Sequence, residues 1–514
     1  MNIFPRPAPK RSRTPPPTQP HRTTAPSEWK PPRPRIDATI AAIVGLTVTA
    51  FALASGGAGQ LSSALAGIAA KGVGISLLLC FAFEARSGMR NLVRADLVGT
   101  LAFYYLTLYE FLFPQPFFDG AMPHAGVTYN AIWAVVVAIA GILIGRHFVW
   151  NIKQPFEQVM TRDVPAGLLL GLFWASFFLG FLHMLLGVSF DIPKMLDFMT
   201  RPRFEQPWGR GRFGDWKALI NELALLLYFI PPLTALVFAR RERFSAFAIV
   251  TTAAGFAWTL FYAFTTGTRS LLGAYLVTFM IAFAFATPKE RHRQVLFVCA
   301  ACAAAILLST RTMLAMRTVG FQRWWAGDYK EVVNRQSAAV FVDDNLLAIA
   351  KIAMFFPDRH PYLGLEVPYI AIVRPIPRAI WSGKPTGLSV SLEGDVFEMK
   401  GLTISCTFAG EGYMSGGLIG VGAYALVLGC LAGWWNRLAS PRNSELGILI
   451  YASGFFAVVI TMRSIMVLAT ALLTPAAGIM AGVFLVKGAR KVLTRRKPGR
   501  PMPRRPMPPT PPQP

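Results

Sequence analysis

QVLFVCAACAAAILLST (294–310) passes directly into RTMLAMRTVGFQRWW (311–325), and this junction decides the fold. The first run is apolar and close to the length that crosses a roughly 30 Å hydrocarbon core. The second opens the only long segment between apolar runs, Arg311 to Gly416. That segment goes on to IVRPIPRAIWSGKP (372–385) and SLEGDVFEMKGLTISCTFAGEGYMSGG (391–417). Arginines, aromatics, prolines and a few carboxylates collect there, with apolar runs on both sides. A site for a lipid-linked anionic molecule requires that combination.

Outward from the junction, apolar runs recur at 37–55, 62–84, 96–115, 127–146, 165–187, 218–239, 245–265 and 269–287 before it. After it come 412–435, 446–464 and 466–486, which with 294–310 makes twelve. Lys71 makes the second run the least regular. The 514 residues are 54% hydrophobic and only 15% charged, which excludes a set of soluble domains. The expected fold is an all-α polytopic integral membrane protein of about twelve transmembrane helices. A long extracytoplasmic loop lies between the ninth and tenth spans. The domains are a Pro/Arg-rich disordered tail (1–36), a membrane domain (37–486) with outer segments 190–216 and 311–411, and a basic Pro-rich disordered tail (487–514).

The formal net charge of +25 suits a nucleic-acid partner in a soluble protein. Here the basic residues sit mostly in the tails and in short loops, as the orientation of spans in a bilayer demands. No nucleic-acid partner is expected. With the N-terminus inside, the cytoplasmic loops are RSGMRNLVR (86–94), GRHFVWNIK (145–153), ARRERF (239–244), PKERHR (288–293) and NRLASPRN (436–443), all short and basic. The even count returns the C-terminal tail to the cytoplasm. No cleavable signal peptide is visible, since the first 36 residues lack an apolar core. The five cysteines show neither disulfide nor zinc-ligand spacing.

Two outer segments break the charge rule. One contains DIPKMLDFMTRPRFEQPWGRGRFGDW (191–216), with Arg201, Arg203, Arg210 and Arg212; the other begins with Arg311, Arg317 and Arg323. Guanidinium groups grip phosphate oxygens in a bidentate manner, so an anionic ligand on that face explains the enrichment. Arg374 and Arg378 bracket PIP, Lys384 follows Trp381, and Arg269 occupies the tight hairpin TTGTRS (265–270). Arg463 closes the eleventh span. Each arginine taken singly also fits a snorkelling surface residue.

Glu110 and Glu222 are acids inside apolar runs, which marks either a site or a partnered charge. Candidates for a general base are Asp191, Asp215, Asp343, Asp344, His360, Glu393, Asp395 and Glu411. His183 reads as a packed histidine. Glu411 stands out because FAGEGYMSGG surrounds it with small residues that allow close approach. Trp381 is the aromatic best placed to contact substrate; the others fit an interfacial belt. No metal-ligating constellation and no phosphate-cradling glycine loop occurs, so neither a metal, a nucleotide nor another cofactor is expected.

IPRAIWSGKPTG (376–387), followed by TFAGEGYMSGGLIGVGAYALVLG (407–429), resembles the bacterial oligosaccharide repeat-unit polymerases, the Wzy-type O-antigen polymerases. TTGTRSLL (265–272) is similar to their GxR hairpin. The resemblance covers roughly 200 to 430 in organisation. It implies a metal-independent, type C-like membrane glycosyltransferase on the outer face of the cell inner membrane. A growing glycan on undecaprenyl diphosphate would pass to the sugar of a new undecaprenyl-diphosphate repeat unit. A chain-length regulator and a flippase would be its partners. By position, Arg269, Arg374, Arg378, Lys384 and Glu411 match the family-like segments. Arg269, Arg374 and Arg378 would stabilise the leaving diphosphate, with Arg311 and Arg317 in support. Glu411 would act as base or orient the acceptor. Competing readings are an O-antigen ligase-like enzyme, a lipid-linked oligosaccharide flippase or transporter, and a scaffold of an export complex.

Overall fold

The computed structural model describes residues 33–55, 61–122, 125–149, 161, 163–208, 222–327, 342–376, 378, 380–385, 387–398, 404–438 and 444–495. Of the disordered tails expected at 1–36 and 487–514, only 33–36 and 487–495 fall within these residues, and 487–495 continue the last helix rather than forming a disordered tail. The described residues are helical and contain no strand. A backbone in hydrocarbon must satisfy its own polar groups, and a helix does so within one segment.

Among the described residues, eleven stretches are long and apolar enough to cross a membrane. The elements in order are α1 (Ile36–Ser55), α2 (Ser62–Ala85), α3 (Ala95–Thr107), α4 (Ala125–Gly145), α5 (Ala166–Gly187) and α6 (Ile192–Thr200). Then come α7 (Ile230–Ala239), preceded by a 3-10 stretch from Glu222 to Phe229, α8 (Ala246–Thr265), α9 (Arg269–Ala286) and α10 (His292–Val319). The series ends with α11 (Asn345–Phe355), α12 (Glu366–Val373), α13 (Thr407–Leu438), α14 (Glu445–Arg463) and α15 (Leu473–Arg495). α14 is the most enclosed of the eleven spans and α10 the least.

Side-chain ties define two faces of the bundle. On the face where α1 begins, here the basal face, Glu84, Arg94, Asp96 and Arg146 form a four-residue ion network with wholly buried side chains. It joins the ends of α2, α3 and α4. Asn436 near the end of α13 donates to Asp96 at 2.5 Å and accepts from the Ala95 N–H at 2.8 Å. On the same face Glu445 pairs with Arg240 and Arg243 and accepts from the Val164 N–H at 3.1 Å. Arg291 pairs with Glu242 at 2.5 Å. On the opposite, distal face, Ser62 donates to the Met122 carbonyl at 2.7 Å and Ser63 to Asp119 at 2.6 Å.

These ties require the chain between Arg94 and Asp119 to cross from basal to distal. α3 has only 13 residues and is completed by a 3-10 turn, Tyr109–Leu112. The expected span 96–115 is therefore a broken one. Glu110 sits in the break with its carboxylate turned inward, accepting from the Val342 N–H at 2.7 Å. An acid at that depth faces protein rather than lipid.

Small residues let helices approach closely where no hydrophobic force drives association. A Cβ at Gly145 of α4 would fall 2.3 Å from the Leu426 carbonyl oxygen of α13, and one at Gly429 would fall 2.4 Å from that of Ile142. The backbones of α4 and α13 thus touch along their basal halves.

The long segment after α10 is not a solvent loop. α11 lies inside it, with Asn345, Leu346, Leu347, Ala348, Ile349, Ala350 and Ile352 buried. Asn345 Nδ2 donates to the Leu106 carbonyl at 2.9 Å and fixes α11 to α3. α13 is interrupted at Gly416 (φ −178°, ψ 38°) and Gly417 (φ 61°, ψ −148°). The residues on either side fold back on each other. A Cβ at Gly412 would lie 2.9 Å from Val421 Cα, and Ser415 Oγ meets Tyr424 Oη at 2.7 Å. In a straight helix, nine residues span about 13 Å. The expected tenth span, 412–435, is thus a short arm before the break and a spanning helix after it.

Candidate functional site

The distal face carries the residues singled out above. Gly267, in the turn between α8 and α9, has φ 63°, and a Cβ there would fall 2.5 Å from Arg317 Cβ. Glycine is needed on both counts. The turn sets Arg269 at the first position of α9 and brings Arg317 of α10 against the same hairpin. Arg463, at the end of α14, donates to Ser270 Oγ at 3.3 Å and lies 3.7 Å from the Asp343 carboxylate. Asp344 follows and is exposed as a residue, although protein crowds its carboxyl. Burial first and then the Asp343 charge push its carboxyl up to about 6, against the pull of Arg269 and Lys351. The start of α9, the end of α14 and the start of α11 therefore share one patch of alternating charge.

Glu411 stands beside it, on the arm of α13 that folds back. It is 1% exposed. Ser464 Oγ donates to one carboxylate oxygen at 2.5 Å and the Ile465 N–H to the other at 2.5 Å. Both donors are free because α14 stops at Arg463 and Ser464 is extended. The Arg374 guanidinium acts electrostatically on this carboxylate. The arm is capped from outside: the Leu363 N–H donates to the Met414 carbonyl at 2.8 Å and the Gly364 N–H to that of Ser415 at 3.1 Å. These are carbonyls that a helix end leaves without partners. Glu411 belongs to the short arm of α13 before the Gly416–Gly417 break and is enclosed by protein.

Arg374 is the residue after α12 and is exposed. The chain then turns through Pro375, and Lys384 closes the loop. Its Nζ donates to the carbonyls of Arg374 at 2.6 Å and Ile376 at 2.9 Å. Arg378 Nη2 donates to the Pro385 carbonyl at 3.0 Å. Partial burial, then Arg378 and Arg374, lower the affinity of Lys384 for its proton, while Glu222 opposes them. Glu222, read from the sequence as an acid inside an apolar run, thus acts electrostatically on this loop. Trp381 is half-buried in the loop, and its carbonyl accepts from the Lys384 N–H at 3.2 Å.

Other candidates are not gathered here. Arg201 pairs with Asp197 at 2.6 Å and stacks over Phe198, its Cζ 4.6 Å from the ring centre. Arg203 opens a 3-10 turn close by. That region packs on the end of α10, with Gln322 donating to Thr200 Oγ1 at 3.0 Å. Arg210 and the Arg311 side chain lie outside the described residues. Ser464 had no signal in the sequence. Its partner Glu411 did, and what joins them is the end of α14. Comparison with family models, with curated proteins and with solved structures gives no match.

Such a site can do two things together. A carboxylate held by two donors and screened from bulk water can accept a proton from a positioned hydroxyl. Cations fixed nearby can stabilise negative charge that grows on a leaving group.

Proposed function

We propose that this protein is an integral-membrane glycosyltransferase that joins lipid-diphosphate-linked oligosaccharide repeat units into a surface polysaccharide. The observation that carries the reading is the buried Glu411 carboxylate on the distal face, held by Ser464 and the Ile465 N–H and felt electrostatically by Arg374, beside the Arg463–Asp343 pair and Arg269, whose charge acts on Asp344. In this reading an acceptor hydroxyl attacks the anomeric carbon of the donor glycan and gives its proton to Glu411. The bond from that carbon to the diphosphate oxygen breaks, and the electron pair leaves with the diphosphate. Arg374 and Arg269 stabilise the charge that results. Lys384 and Arg378 hold the Arg374 loop in shape, each donating to backbone carbonyls of that loop. The distal face is then extracytoplasmic, and the lipid carrier is undecaprenyl diphosphate.

Purified full-length protein, given synthetic undecaprenyl-diphosphate repeat units and a chelator but no nucleotide, elongates the glycan if this is right. Unchanged single repeats refute it. A ligase with the same donor differs in product: its loss in cells leaves full-length polymer on the carrier, whereas loss of a polymerase leaves single repeats. One observation favours a second reading, a transporter of lipid-linked oligosaccharide: α13 is discontinuous at Gly416–Gly417, as helices at transport sites often are. Movement of a labelled lipid-linked glycan across proteoliposomes without elongation would select it.

A further inference from the structure

On the basal face, opposite the candidate site, a groove of about 570 Å³ opens among α7, α8, α9 and α10. Phe238, Phe279, Phe283 and Phe297 form its walls, and Arg241, Arg291 and Arg293 stand at its rim. Phe279 and Phe283 are buried, while Phe297 projects outward and is 75% exposed. The groove thus begins at the end of the helices and continues down the side that faces lipid. Arg291 is neutralised by Glu242 at 2.5 Å. Arg241 and Arg293 are exposed and make no ion pair among the described residues.

We infer that this groove binds an anionic phospholipid, its phosphate between Arg241 and Arg293 and an acyl chain along the phenylalanines. Charge complementarity selects the occupant. An apolar slot alone would take any lipid, and two exposed guanidiniums alone would take any phosphate. The two together, at the depth where helices leave the bilayer, require a ligand with both parts. The inference stands apart from the catalytic reading, which concerns the opposite face.

The test uses the full-length protein, delipidated in detergent and supplied with micelles containing phosphatidylglycerol or phosphatidylcholine. Bound lipid is counted by native mass spectrometry. Phosphatidylglycerol is retained in preference to phosphatidylcholine. R241Q/R293Q spares the Arg291–Glu242 pair and lowers that retention by roughly fivefold per arginine, about twenty-five-fold for the pair. I249W fills the groove with the rim intact and also reduces retention. R86Q removes a cation from the same face outside the groove and leaves retention unchanged. Equal binding of the two lipids overturns the proposal, as does retention that survives R241Q/R293Q. Displacement of phosphatidylglycerol by equimolar inorganic phosphate would mean a simple anion site and overturns it too.

Discussion

Replacing Arg146 by glutamine tests whether the basal network holds the bundle together or merely sets its orientation. Arg146 Nη2 lies 3.0 Å from Glu84 Oε1, and Nη1 lies 3.2 Å from Asp96 Oδ2. Nη2 also donates to Thr39 Oγ1 of α1 at 2.6 Å. With Arg94, the four side chains balance two cations against two anions, and none is exposed. R146Q leaves one buried carboxylate without a counter-charge, a situation that costs about 3–5 kcal/mol. E84Q/R146Q removes one charge of each sign and loses less than R146Q alone. R146K keeps the charge but presents one ammonium where a planar fork reached two carboxylates and a hydroxyl, so it falls between. The assay is reversible denaturation of detergent-purified protein, with reporter fusions checking that every variant inserts in the same orientation. If R146Q stays within about 1 kcal/mol of wild type, as an exposed ion-pair partner would, the network contributes no stability and the argument fails.

E411Q keeps the shape of the carboxylate: its oxygen can accept from the Ile465 N–H and its amide can donate to Ser464 Oγ. The variant folds like wild type and loses roughly 10²–10⁴-fold in glycan elongation; activity within tenfold of wild type removes Glu411 as base. G417A places a Cβ 2.8 Å from Tyr362 Oη at a residue with φ 61°. It lowers stability by about 1–2 kcal/mol, whereas G416A, at an extended φ with open space around it, is close to neutral in the same melting assay. Asp344 has a folded-state pKa above that of an unfolded aspartate. The folded protein therefore holds the extra proton, and the stabilisation is present at low pH and lost as pH rises through about 6. Between pH 4.5 and 7.5 the wild-type melting temperature falls relative to that of D344N; parallel curves would show that Asp344 titrates normally.

The spans were legible because twenty apolar residues in a row have few alternatives to crossing a bilayer. Eleven coincide with helices of sufficient length, and the chain between Arg94 and Asp119 makes the further crossing. α11 was not legible as a buried element. Its 11 residues are too few to span, so pattern alone assigned them to the outer loop. The fold-back of α13 was hidden for another reason: Gly410, Gly412 and Gly420 serve a tight helix start as well as a helix pressed against itself. Arg94 and Arg146 were read as orientation signals. A loop arginine carries the same letter whether it meets water or a carboxylate 50 residues away, as Arg146 meets Asp96. For the site, Arg374 and Glu411 were each named from local motifs. Their electrostatic coupling depends on where α12 ends and on how the α13 arm turns, and neither is written in either motif.

The two faces use arginine differently, and that contrast bears on where a ligand can act. In the basal network every guanidinium and carboxylate is paired at 2.7 to 3.2 Å with no exposure, so a ligand could reach these charges only by opening the bundle. At the distal face Arg374 is exposed, Arg463 keeps 27% of its side chain open, and its contact with Asp343 is 3.7 Å. A loosely held cation near solvent gains little from its present partner, so exchanging that partner for a phosphate oxygen costs little. Glu411 is the exception there, enclosed and doubly hydrogen-bonded. A buried acid next to cations that can change partners is an arrangement for chemistry on an anion, whereas charges locked pairwise in the interior serve architecture.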